Sequence, residues 1–254
     1  GFVDAGFNLG ATLAETGQID EAERAYTEVL AVQPGHAASL NGLGNLAVGQ
    51  SALERALDWF DKAVAAQPDA AYIRVNRGCL YRTLGRVADA LADLDQAVTL
   101  APGFAEAHYQ RANSLRNLGR FDAARQGYLN ALRCAPLRAD IHRDLASLAW
   151  EMGEGAGATH WLDQVLQQQA DAGLQLVRAE ILMRSGQPDE AERAAGLALE
   201  LDPANARARA LRGELRGRLG KREAGLDDLR AAFHSAVSAK DGDATDFSIR
   251  HQLV

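Results

Sequence analysis

Carboxamide side chains recur at related spacings in the first half of the chain. Asn8, Asn76 and Gln110 are separated by multiples of 34 residues, and so are Asn45 and Asn113. A carboxamide carries both hydrogen-bond donors and an acceptor. A row of such groups can pair with the N–H and C=O groups of an extended peptide, which every residue carries whatever its side chain. The amides are therefore candidate hydrogen-bonding residues, and the elements that carry them decide what they can bind.

No catalytic motif accompanies these amides. The sequence has no G-x-S-x-G, P-loop, H-E-x-x-H or strand-following G-x-G-x-x-G pattern. The glycine-rich run Met152–Gly157 lacks the lysine and the preceding strand of a phosphate loop, so we interpret it as a turn between helices. We expect this chain to be non-catalytic and to need no cofactor.

Histidine and cysteine are common metal ligands, and two of each could be placed near one another by the repeat. His108 and His142 are 34 residues apart, and two facing histidines can bind a metal ion, but no third ligand is evident. Cys79 and Cys134 have neither C-x-x-C spacing nor a nearby histidine pair. We interpret all four as packing residues and predict no metal site.

The elements that position the amides follow from proline and glycine. Proline has no N–H and disfavours helix in the residue before it, so each regularly spaced proline closes a helix. Glycine before the second helix of each unit suits a left-handed helix stop. The sequence therefore predicts units of 34 residues, each with a helix A, a turn, a helix B and a second turn. The regularly spaced prolines are Pro34, Pro68, Pro102 and Pro136.

Small and large residues recur in phase with the prolines. When the proline is numbered 32 in its unit, positions 8 and 20 are small and position 24 is large. Small residues let two helices approach closely, and the large residue fills the space beside them. One helix pair cannot bury its apolar face alone, so neighbouring pairs must stack. The large residues at position 24 are Tyr26, Phe60, Leu94 and Tyr128.

The second half of the chain keeps this pattern less strictly. Pro203 shifts the phase, so the unit from Ala139 is one residue short, and Pro188 suits the first turn of a helix B. We predict one domain over residues 1–239, followed at 240–254 by a capping helix or the start of a linker. The predicted repeats are 3–36, 37–70, 71–104, 105–138, 139–171, 172–205 and 206–239.

This register resembles the tetratricopeptide repeat, with a small residue at position 8, Ala at 20, an aromatic at 24 and Pro at 32. The family's Trp at position 4 is missing. The resemblance implies an all-α fold, a right-handed α-solenoid of about seven stacked helix-turn-helix repeats. The residues at position 4 of the first four units are Gly6, Leu40, Arg74 and His108.

The resemblance also implies a site. In tetratricopeptide repeat proteins helix A lines a concave groove, and the amides fall on groove positions together with Tyr and Arg, which suit binding hot spots. We expect a protein–protein interaction module that binds an extended segment of a partner. Arg82, Arg116 and Arg143 favour an acidic or C-terminal segment. The expected groove residues are Asn8, Asn41, Asn45, Tyr72, Asn76, Arg82, Tyr109, Gln110, Asn113, Arg116, Asn117 and Arg143.

Two ligand modes of the family were compared with these positions. The clamp for chaperone tails requires basic residues at three positions, and all three are missing here. The asparagine ladder of the O-GlcNAc transferase superhelix, at position 6, agrees with Asn8, Asn76 and Gln110. Gly42 and Asp144 interrupt it, so the resemblance to that ladder is partial.

Two other roles remain open. Net charge alternates along the chain, −7 over residues 1–70, +5 over 71–138, −8 over 139–205 and +3 over 206–254. This alternation favours a self-assembling scaffold. The chain can also be the regulatory or substrate-recruiting arm of a larger glycosyltransferase or oxygenase.

Composition excludes several classes of protein. Apolar residues make up 47% of the chain, which argues against disorder. No apolar run is long enough for a transmembrane helix. The net charge of −7 disfavours non-specific nucleic-acid binding. The lack of a signal peptide favours the cytoplasm, although a first residue of Gly1 leaves a removed signal open.

Overall fold

Fourteen α-helices make up the fold in residues 1–238, the part of the chain that the computed structural model describes, and this part contains no strand. The predicted all-α class is confirmed. The predicted segment 240–254 lies outside the described residues. Within 1–238, no helix combines the length and the apolar character needed to cross a membrane. The helices are α1 (Phe2–Glu15), α2 (Ile19–Val32), α3 (Ala37–Gly49), α4 (Leu53–Ala66), α5 (Ala71–Thr83), α6 (Val87–Leu100), α7 (Ala105–Asn117), α8 (Phe121–Cys134), α9 (Ala139–Glu151), α10 (Gly155–Leu166), α11 (Ala172–Arg184), α12 (Pro188–Leu201), α13 (Ala206–Arg218) and α14 (Arg222–Ser238).

Consecutive helices form pairs, and the pairs stack. Each odd-numbered helix, a helix A, packs against the even-numbered helix B that follows it. The chain divides into two compact units, Gly1–Pro136 with α1 to α8 and a second unit that begins at Leu137 with α9 to α14. Within each unit, helix B also contacts helix A of the next pair. This stacking confirms the predicted solenoid of helix-turn-helix repeats.

The turn between helix A and helix B has one backbone conformation throughout the described residues. Six glycines there have φ between 70° and 80°, a region in which a Cβ is unfavourable. Ser51 occupies the same turn with φ 60°. The glycine-rich run Met152–Gly157 contains such a turn, between α9 and α10. The six glycines are Gly17, Gly85, Gly119, Gly153, Gly186 and Gly220.

Small and large residues meet inside each pair as their register predicts. A Cβ added at Gly10 would lie 2.7 Å from the Tyr26 ring, and one at Gly44 would lie 2.5 Å from the Phe60 ring. The fully buried Phe60 therefore fits only against a residue without a side chain. This contact holds helix A close to helix B and so fixes the position of helix A, which carries the amides.

Buried ion pairs join helix A to helix B in both units. In the first unit, the Asp93 carboxylate, only 6% exposed, accepts hydrogen bonds from Arg77 at 2.7 and 2.8 Å and from Arg74 at 3.2 Å. In the second unit, Asp228 accepts from Arg212 at 2.6 and 2.8 Å and from Arg216 at 2.8 Å. Removing either carboxylate would leave one half-buried guanidinium, that of Arg74 or Arg212, without a carboxylate partner.

Candidate functional site

The candidate site is the surface that the A helices of the first unit present together. Helix α1 contacts α3, α3 contacts α5, and α5 contacts α7, so side chains of successive A helices become neighbours. We call the polar side chains on this surface of α1, α3, α5 and α7 the A face. All of the predicted groove residues except Arg143 lie on these four helices.

A bond between two amides links α3 to α5. Asn76 Nδ2 donates to Asn41 Oδ1 at 2.9 Å, and Asn41 is only 8% exposed. Asn41 Nδ2 and Asn76 Oδ1 make no hydrogen bond to a described residue, and neither atom is fully buried. The pair therefore keeps one donor group and one acceptor group available side by side.

A second chain of polar contacts links α5 to α7. Arg82 Nη2 donates to Gln110 Oε1 at 3.0 Å, and Gln110 Nε2 donates to Glu106 Oε1 at 2.7 Å. The Nε atom of Arg82 is buried and has no acceptor. Burial raises the pKa of the nearby Cys79 thiol, and the charge of Arg82 partly offsets this effect.

Other predicted groove residues differ in exposure. Tyr109 is 9% exposed, and its ring centroid lies 5.9 Å from that of Tyr128 in helix B of the same repeat. Asn113 Oδ1 accepts from the Tyr128 hydroxyl at 2.6 Å, so part of its hydrogen-bonding capacity serves the fold. Arg116 is half-buried. The exposed members of the set are Asn8, Asn45, Tyr72 and Asn117.

The interrupted asparagine ladder has a steric cause. A Cβ added at Gly42 would lie 2.6 Å from the Tyr26 ring, which is the same ring that packs on Gly10. Any amide side chain at Gly42 would therefore displace the ring that joins the first two repeats. The amide on α3 is instead supplied one residue earlier, by Asn41.

Arg143 belongs to the second unit and has a different environment. It is exposed, and its Nε lies 3.5 Å from Asp144 Oδ1. The A helices of that unit carry further ion pairs, Arg207 with Glu180 at 2.7 Å and Arg218 with Glu214 at 2.6 Å. These pairs were not foreseen, because a sequence alone does not show which charged side chains meet across neighbouring helices.

The two histidines considered as metal ligands are buried and bonded to the backbone. His108 Nε2 donates to the carbonyl oxygen of Pro102 at 2.9 Å, and His142 Nδ1 donates to that of Trp161 at 3.0 Å. In residues 1–238, no cluster of three His, Cys, Asp or Glu side chains could hold a metal ion.

Comparison with known families identifies the repeats. The family model of the tetratricopeptide repeat matches residues 7–71, 75–139 and 109–173, which together make up more than half of the chain. The chain belongs to the tetratricopeptide repeat family. The fold of this family is typically a non-catalytic protein-interaction module, and this chain has the architecture of such a module.

Solved tetratricopeptide repeat proteins share the fold at low sequence identity. Pseudomonas aeruginosa PilF is 18% identical, with a TM-score of 0.69 over 84% of this chain and 97% of its own. PilW, a widely conserved type IV pilus biogenesis factor, is 18% identical with a TM-score of 0.72 over 81% and 96%. YrrB, described as having an unusual peptide-binding site, is 23% identical with a TM-score of 0.53 over 69% and 91%. A search of curated proteins gave no match.

Position 4, where the tetratricopeptide repeat carries Trp, serves another purpose here. Arg74 Nε donates to the carbonyl of Pro68 at 2.9 Å, as His108 does to Pro102, and Arg209 donates to Pro203. Each side chain thus bonds to the proline that closes the preceding repeat. Sequence reasoning missed these bonds, although the constant separation of six residues between donor and proline was visible.

Proposed function

We propose that the A face of the first unit binds an extended peptide segment of a partner protein. The observation that supports this most directly is the Asn41–Asn76 pair, in which Asn41 Nδ2 and Asn76 Oδ1 stay available beside each other. An extended backbone presents C=O and N–H groups in alternation. The pair can therefore donate to one backbone group and accept from the next.

The remaining exposed polar groups extend this surface. Asn45 on α3, Tyr72 on α5 and Asn117 on α7 are exposed on the helices that the amide pair and Arg82 connect. Tyrosine suits such a position because it contributes large contact area at low entropic cost. The arginines on this face, Arg82 and Arg116, favour a segment that carries carboxylates. The peptide-binding site named for YrrB supports the same role by analogy of fold.

A matched pair of double variants tests the proposal. Full-length chain is used to select binders from a displayed library of random peptides, and the affinity of selected peptides is measured by fluorescence anisotropy. Asn45→Ala with Asn76→Ala removes two amides from the A face, and we expect affinity to fall by roughly tenfold or more, since each lost hydrogen bond contributes about 1 kcal/mol.

The control is the double variant Gln96→Ala with Gln126→Ala. It removes two exposed amides from the B helices α6 and α8 of the same unit. It should bind like the unchanged chain. Equal losses in the two double variants, or no loss in either, would exclude the A face as the binding surface. Far-ultraviolet circular dichroism confirms that helicity is retained in both.

Self-association is a second candidate role, favoured by the alternation of net charge along the chain. Residues 1–70 carry −7, whereas residues 71–138 carry +5. Two copies of the chain can place stretches of opposite charge against each other. Light scattering tests this role, since a monomer mass at all concentrations and at low salt would exclude it.

A further inference from the structure

Arg82 differs in its bonding from Arg74, Arg77 and Arg111, three other half-buried arginines of the first unit. Arg74 and Arg77 bind the carboxylate of Asp93, and Arg111 binds Asp95 at 2.5 Å. Arg82 has no salt bridge to a described residue. It donates to the neutral amide of Gln110 and lies beside the Cys79 thiol. A partly buried guanidinium has lost much of its hydration, so it gains from a carboxylate that completes its bonding.

The surroundings of Arg82 supply no such carboxylate from α3 or α5. Helix α3 contains no charged residue, and α5 contains no acidic residue. On α7, the carboxylate of Glu106 bonds to Gln110, whose amide stands between Glu106 and Arg82. Arg82 is therefore available to an anionic group of a ligand, while the neighbouring Glu106 carboxylate is bonded to Gln110.

Arg82 is also held in place before any ligand binds. Its Nη2 is fixed by Gln110, and its Nε is enclosed by protein. The thiol of Cys79 is the other side-chain neighbour of this guanidinium, and neither neighbour carries a carboxylate. A guanidinium that is already oriented loses less entropy when it binds a carboxylate.

We propose that Arg82 binds an Asp or Glu side chain within the partner segment. This inference rests on the proposed function of the A face. A side chain is favoured over a C-terminal carboxylate because exposed amides continue on either side of Arg82, at Asn45 and Asn117, so the segment runs past it.

Peptide selection with charge-altered variants tests this. The unchanged full-length chain should select random peptides that share an internal acidic residue. Arg82→Gln should weaken those peptides by roughly ten- to hundredfold, as expected for loss of a charged hydrogen-bond partner. Arg82→Glu should select Lys or Arg at the position where the unchanged chain selects Asp or Glu. The control is Arg24→Glu, at an exposed position on helix α2. This variant should select the same peptides as the unchanged chain.

Each other outcome counts against the inference. Selected peptides without the acidic residue, or unchanged affinity in Arg82→Gln, would overturn it while leaving the peptide-binding proposal intact. Loss of binding after amidation of the peptide C-terminus, without dependence on an internal Asp or Glu, would assign Arg82 to a terminal carboxylate instead. A chain that selects no peptide at all would overturn the proposed function and this inference together.

Discussion

The A helices of the two units have the same backbone frame and opposite surface chemistry. In the first unit they carry amides whose hydrogen-bonding capacity is only partly used, and Arg82 without a carboxylate. In the second unit the corresponding helices carry arginines that already bind carboxylates of the same unit, such as Arg207 with Glu180. The difference teaches that the repeating residues build the frame, while the non-repeating ones decide whether a helix face has bonds to offer a partner.

The largest effect is expected where the two units are alike, at the buried aspartates. Asp93→Ala leaves Arg74 without a carboxylate, and Asp228→Ala leaves Arg212 without one. The second arginine at each site keeps another partner, Asp61 for Arg77 and Glu192 for Arg216. Breaking a buried ion pair costs about 3–5 kcal/mol. Urea denaturation should show a loss of this size for either variant. Asp95→Ala, on the same helix as Asp93 and paired with Arg111 at an exposed site, is the control and should cost less than about 1 kcal/mol. A similar cost for Asp93 and Asp95 would contradict the buried network.

A smaller effect distinguishes the A helices of the first unit from those of the second. A double-mutant cycle of Asn41→Ala and Asn76→Ala should give a coupling of about 1 kcal/mol, the usual contribution of a protein hydrogen bond. The cycle of Glu180→Gln and Arg207→Gln should give about 0.2–1 kcal/mol, because Arg207 is 67% exposed. Added salt should reduce the second coupling and leave the first unchanged. If both coupling energies change equally with salt, the A helices of the two units do not differ in the kind of bond they carry.

The smallest effect concerns acid stability of the second unit. Burial raises the pKa of Glu192, but hydrogen bonds and charge from Lys221 and Arg216 outweigh burial, so its pKa lies below the usual value. A carboxylate with a depressed folded pKa stabilises the fold above its unfolded pKa, and this stability is lost as the pH falls through the folded pKa.

Glu192→Gln should therefore flatten the loss of stability below about pH 4.3, the ordinary pKa of a glutamate. Urea midpoints measured across the acid range check this, with Glu54→Gln on α4, exposed and without an ion pair to a described residue, as the control. An unaltered acid profile in Glu192→Gln would show that Arg216 and Lys221 do not act on this carboxylate.

Backbone features of the fold were predictable from local sequence. Pro34 and Gly17 impose their conformations on their own residues, and Tyr26 opposite Gly10 follows from the fixed phase of the repeat. The tetratricopeptide fold could therefore be predicted from the sequence. Ser51 shows that the turn conformation is retained without glycine, because the packing on both sides determines it.

The chemistry of the A face was less predictable. The bond between Asn41 and Asn76 joins residues 35 positions apart, and either amide could have faced solvent or another neighbour. Nothing local shows that Asn113 bonds to Tyr128 or that Arg143 lies beside Asp144. Residue types indicated the face, but side-chain pairing across helices decides which groups stay available, and the binding residues remain predictions.

The bonds from position 4 to the closing prolines have a consequence for how the chain folds. Arg74, His108 and Arg209 each reach a carbonyl only six residues earlier, so three repeats are tied to their predecessors by very short loops. Short loops close at little entropic cost, and chains rich in local contacts fold fast. Each of these three repeats can therefore consolidate against the previous one as soon as its first helix forms.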